Sequence, residues 1–91
     1  MSFNIMSKQN TSGGTAKVEI FTTPFCAYCK MAKEYFKENN IPYIEYDVQE
    51  DIVKRQEMVE RTHQFGVPVI VINGEIVIGF DRPKIDKLLG L

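Results

Sequence analysis

The sequence predicts a single α/β domain with the element order β-α-β-α-β-β-α, holding both a parallel and an antiparallel pair of strands. Three observations carry this. A chain of 91 residues is one domain at most and buries only about two-thirds of the surface its unfolded form exposes. Its apolar residues switch repeatedly between the alternation of a strand and the spacing of a helix. The dipeptide Asn73-Gly74 between two apolar runs marks a tight hairpin near the end of the chain. A helix between the first two strands makes them a parallel pair, and the hairpin adds an antiparallel one.

Residues 1–15 stand apart. Ser2, Asn4, Ser7, Gln9, Asn10, Thr11, Ser12, Gly13, Gly14 and Thr15 form a polar leader without periodicity, read as a flexible tail or a remnant of expression. The domain is residues 16–91. Lys17 to Thr22 alternates, with Val18 and Ile20 on one face, and reads as a strand. Thr23-Pro24-Phe25 is a turn, because proline lacks an N–H and disfavours helix just before it. From Cys26 to about Asn39 the spacing is helical, with Ala32, Tyr35 and Phe36 as the apolar stripe and Lys30, Lys33, Glu34, Lys37 and Glu38 towards solvent. Asn39-Asn40 followed by Pro42 is a stop. Pro42 to Val48 alternates again, with Ile44, Tyr46 and Val48 on one face.

Asp47, with Glu50 three residues on, suits the start of a second helix, which runs to about His63 with Ile52, Met58 and Val59 towards the core. Val67 to Ile72 is an apolar strand containing Pro68, and Glu75 to Ile78 is its return. Arg82 to Leu89 is a terminal helix with Pro83 in its first turn and Ile85, Leu88 and Leu89 apolar.

Several function classes are excluded. The net charge is −1, so no basic footprint for nucleic acid is visible. The longest apolar stretch, Val67 to Ile72, falls far short of the roughly 20 residues that span a bilayer, and no apolar signal-peptide core precedes the domain. The expected compartment is the cytoplasm, and a monomer is the expected state. Two cysteines are too few for a disulfide scaffold, and in a reducing compartment a Cys-x-x-Cys pair points to redox chemistry. A zinc site usually needs four ligands; beyond Cys26 and Cys29 the chain offers one histidine, His63, so no metal is expected.

The spacing of Cys26 and Cys29 puts both sulfurs on one face of one helical turn. Cys26 sits at the helix N-terminus, where unpaired N–H groups and the macrodipole favour an anion; its thiolate is the expected nucleophile. Cys29, a turn deeper, is the expected resolving thiol. Pro68 opens an apolar strand from which it removes a ladder hydrogen bond. It is either an ordinary strand-entry proline or a cis-proline that leaves the Val67 backbone free for an extended substrate.

Thr22-Thr23-Pro24-Phe25-Cys26-Ala27-Tyr28-Cys29, Gly66-Val67-Pro68-Val69-Ile70-Val71-Ile72-Asn73-Gly74 and Ile78-Gly79-Phe80-Asp81 together resemble a glutaredoxin of the thioredoxin superfamily. The resemblance covers residues 16–91. It implies the thioredoxin-like fold, a four-stranded mixed sheet flanked by three helices, with a cis bond before Pro68, and reversible thiol–disulfide exchange on disulfide-containing or glutathionylated proteins. It implies glutathione as co-substrate and no tightly bound cofactor. The implied contacts for substrate and glutathione are Phe25, Tyr28, Val67, Pro68, Gly79, Phe80 and Asp81. The chain departs from the family pattern in carrying Ala27 for a proline, Gly66 for a threonine and Phe65 for a basic residue. Thr22 and Thr23 stand where a lysine is frequent, and Gly79-Phe80-Asp81-Arg82 replaces a double glycine with an acidic pair. Asp81 is placed to receive the glutathione ammonium, with Arg61 or Arg82 as candidate cations for its carboxylates. Gly79-Phe80 followed by Arg82-Pro83 also resembles the glutaredoxin-like redoxins that serve ribonucleotide reductase and are reduced by thioredoxin reductase. A further alternative is a carrier in which Cys26 of two chains and two glutathiones hold a [2Fe–2S] cluster.

Overall fold

A computed structural model describes residues 16–91. The leader expected over residues 1–15 lies outside the described residues. The elements are β1 (Val18–Thr22), α1 (Ala27–Glu38), β2 (Ile44–Asp47), α2 (Ile52–Thr62), β3 (Val69–Ile72), β4 (Glu75–Ile78) and α3 (Arg82–Leu89). The strands form one mixed sheet in the order β2-β1-β3-β4. β1 runs parallel to β2, with Phe21 opposite Tyr46, and antiparallel to β3, with Ile20 opposite Ile70. The β3–β4 hairpin pairs Val71 with Ile76 and turns through Asn73 (φ 51°) and Gly74 (φ 88°), the left-handed pair that a two-residue turn needs.

Strand alternation divides the core between the two faces of the sheet. On one face Val18, Ile20, Ile70, Ile72 and Val77 meet Ala32, Tyr35 and Phe36 of α1 and Ile85 of α3. On the other, Phe21, Val69 and Val71 meet Met58 of α2. β3 is buried along its whole length because it is central and covered on both faces, which is why its sequence is an unbroken apolar run.

Three expectations are corrected in detail. Asp51, not Asp47, caps α2: its side chain accepts from the Lys54 N–H. The Asp47 carboxylate instead accepts from the Gln49 N–H in the preceding turn, so α2 starts one turn later. Ile52 thereby falls on the outer side of the helix and is 65% exposed. Ile44 is half exposed because β2 is an edge strand. Pro68 precedes β3 rather than belonging to it, as its missing N–H requires. Among the described residues, no helix is long and apolar enough to cross a membrane.

Candidate functional site

β1 delivers the chain into the turn 23–25, which places Cys26 as the N-cap of α1. Its backbone is extended there (φ −109°, ψ 113°), and its sulfur accepts the Cys29 N–H at 3.2 Å. That N–H is one of the orphan donors of the first helical turn; here it is aimed at the Cys26 sulfur. Cys26 is partly exposed, and Cys29 lies beneath it, 1% exposed. Both are free thiols. Burial, reinforced by the adjacent Cys26 sulfur, pushes the Cys29 thiol up to about 12. The two sulfurs of one motif are therefore unequal in access, and burial disfavours ionisation of the inner one.

The Val67–Pro68 bond is cis. It brings the Val67 carbonyl to 3.8 Å from the Cys26 sulfur, which donates to it as a thiol. Pro68 is buried and its carbonyl accepts the Gly79 N–H at 2.8 Å. Gly79 has φ 82°, a left-handed conformation that costs glycine little, and the turn it makes after β4 stays bonded to Pro68. In this way three segments distant in sequence are joined: the cysteine turn, the Val67-Pro68 bend and the turn at Gly79.

The residues expected to contact substrate are distributed unevenly. Phe25 lines a cleft of about 410 Å³ with Thr23, Pro24, Cys26, Ala27, Cys29, Lys30 and Lys33, and it is 93% exposed. Tyr28 is also largely exposed. Phe80 turns inward and packs edge-on against Tyr35, ring centres 5.8 Å apart. Asp81 is spent in part as the N-cap of α3, accepting from the Lys84 N–H. The candidate cations Arg61 and Arg82 are engaged elsewhere, Arg61 with Glu57 at 3.5 Å and Arg82 over the Tyr35 ring.

Two groups beside the site escape sequence reasoning. Arg55 lies over the Phe65 ring and with it lines a hollow of about 310 Å³ that includes Thr23, the residue entering the cysteine turn. Only the packing of α2 against the sheet brings Arg55 there; its helical spacing marks it as a solvated residue. Lys33, expected in solvent, is partly covered and donates to the Glu45 carboxylate at 2.9 Å. Glu45 also accepts the hydroxyl of the buried Thr22 at 2.7 Å. Burial disfavours charge on Glu45, yet its bonds from Lys33 and Thr22 prevail and hold its carboxyl below the usual range; the same bond raises Lys33. Among the described residues, no three metal-ligating side chains come together.

The glutaredoxin family model matches residues 18–77. A glutaredoxin-like 8.6 kDa protein of the rubredoxin operon of Clostridium pasteurianum is 44% identical over 72 residues, 79% of this chain and 96% of that protein. Glutaredoxin 3 of Escherichia coli is 33% identical over 72% of this chain and 80% of its own length. Among solved structures, that of the thioredoxin-like protein BC3987 is 38% identical, with a TM-score of 0.74 over 79% of this chain and 99% of that one. The family model and these likenesses show that the chain belongs to the glutaredoxin family of the thioredoxin superfamily.

Proposed function

We propose that the protein is a cytoplasmic, monomeric thiol–disulfide oxidoreductase that reduces protein disulfides and glutathione mixed disulfides, with glutathione as its electron donor. The observation that carries the reading is the asymmetry of the cysteine pair: Cys26 is accessible and N–H-capped, while Cys29 is buried with its thiol up to about 12. The Cys26 thiolate attacks a substrate disulfide, forming a mixed disulfide and releasing one substrate thiol. Cys29 then attacks the Cys26 sulfur, the second substrate thiol leaves, and the protein is left with a Cys26–Cys29 disulfide. Two molecules of glutathione return it to the dithiol.

Several features favour glutathione. The Val67 backbone beside Cys26 suits β-like pairing with a cysteinyl residue, with Phe25, Tyr28 and Pro68 as the apolar walls around it. Lys30 and Lys33 line the cleft and favour an anionic ligand. Arg55, in the hollow that includes Thr23, takes over the role expected of Arg61 or Arg82 and receives a carboxylate. Asp81, at the turn that follows Gly79 and Phe80, retains a carboxylate oxygen for the ammonium group.

The exposed Phe65, 69% accessible where the family pattern places a cation, favours a second reading, a redoxin served by thioredoxin reductase. Steady-state turnover of a glutathionylated peptide and of hydroxyethyl disulfide separates the two. One arm contains glutathione with glutathione reductase; the other contains thioredoxin reductase with NADPH. Turnover in the first arm is expected. Reduction in the second arm alone would replace glutathione by thioredoxin reductase as donor.

A further inference from the structure

Release of the mixed disulfide depends on the sulfur that the fold makes hardest to ionise. The resolving attack needs Cys29 as thiolate, yet Cys29 is 1% exposed and its thiol is pushed up to about 12. Lys33 stands four residues after Cys29 on α1, hence on the same helical face, and both line the cleft that holds Cys26. Lys33 is not a free surface lysine. Its ammonium donates to Glu45 of β2 at 2.9 Å, and Glu45 is held in turn by the hydroxyl of Thr22 at the end of β1. Three elements thus fix one positive charge in the cleft that the buried thiol also lines.

We propose that Lys33, held by Glu45 and Thr22, is a positioning residue of the resolving step, its ammonium stabilising the Cys29 thiolate inside the cleft and setting the pH range in which the mixed disulfide is released. This rests on the dithiol reading above. In the step, the Cys29 proton passes to water and the Cys29 sulfur attacks that of Cys26. The Cys26–substrate bond breaks as the Cys26–Cys29 bond forms, and the substrate thiolate takes a proton from water. Lys33 acts through its charge and not as the base, because its bond to Glu45 keeps it protonated. The other groups facing this cluster are the Cys26 sulfur and the Thr23 backbone at Cys29, Tyr43 at Lys33, Lys37 at Glu45 and Lys30 in the cleft.

The test uses the full chain carrying Cys26→Ser, in which Cys29 is the single remaining thiol of the two. Its alkylation by iodoacetamide is followed from neutral to alkaline pH at low and high salt, with circular dichroism confirming the fold of each variant. Adding Lys33→Met should slow alkylation about two- to fivefold at low salt, the scale of a partly exposed charge. Lys33→Arg should restore the rate, and high salt should narrow the gap. With both cysteines present, rapid-quench measurement should show Lys33→Met slowing release of the mixed disulfide more than its formation, with the release profile displaced to higher pH. Unchanged alkylation in Lys33→Met, or equal slowing by Met and Arg, would overturn the proposal. Wild-type protein that exchanges no disulfide would overturn the dithiol reading and this one with it, whereas exchange with an unmoved pH profile would overturn this one alone.

Discussion

At the scale of single residues, function turns on two sulfurs with identical chemistry and different surroundings. Cys26 is a helix cap that accepts an N–H at 3.2 Å; Cys29 is one turn along the same helix and buried. Their unequal placement, one sulfur at the helix start and one a turn deeper, was legible from the Cys-x-x-Cys spacing and its place after a strand. The places of Arg55 and Lys33 were not, because both lie on helices as ordinary exposed-pattern cations and gain meaning only from contacts with Phe65, in the segment after α2, and Glu45, on the edge strand β2. Arg55→Ala should raise the KM for glutathione about tenfold or more, the scale of one charge-assisted hydrogen bond, while leaving reactivity towards a neutral small disulfide little changed. Steady-state kinetics with the two substrates checks this. Equal loss on both would point to a structural role for Arg55.

At the scale of elements, strands and helices followed periodicity, and the errors arose where capping chemistry competes with itself. Asp47 and Asp51 both precede the apolar residues of α2, and a carboxylate can cap a helix or close a turn. The backbone settles the choice in favour of Asp51, whose oxygen lies 3.0 Å from the Lys54 N–H, and Asp47 closes the turn before it. Asp51→Ala should therefore destabilise the domain by about 1 kcal/mol, measured by urea denaturation, and Asp47→Ala should cost less. The reverse order would return the helix start to Asp47. Pro68 was readable as special from the residues and as cis only through the family resemblance, since strand entry and a cis bond leave the same mark in the sequence. Burial of Ile52 was overestimated because the helix start was set one turn too early, which turned its face inward.

At the scale of the molecule, the sheet carries one core on each face and its β2 edge is tied to α1 by Lys33 and Glu45. The folded-state Glu45 carboxyl titrates below its ordinary range, so its contribution is present above the unfolded carboxylate pKa and fades as pH falls through the lower folded one. Lys33 is raised, so its contribution is present below the unfolded lysine pKa and fades as pH rises through the folded one. Glu45→Gln should lower Tm near neutral pH by the equivalent of at most about 1 kcal/mol, since the carboxylate is a third exposed and screened. The difference from wild type should close in acid. A gap that widens in acid would contradict the direction of the Glu45 shift.

Cys26 as the attacking sulfur, resolved by Cys29, is most directly tested by intact-mass analysis of the two serine variants after exposure to a glutathionylated peptide without reductant. Cys29→Ser should accumulate a mixed disulfide at Cys26, its one remaining thiol, while Cys26→Ser, whose only thiol is buried, stays unmodified. An adduct on Cys29 in Cys26→Ser, with none on Cys26 in Cys29→Ser, would contradict the assignment.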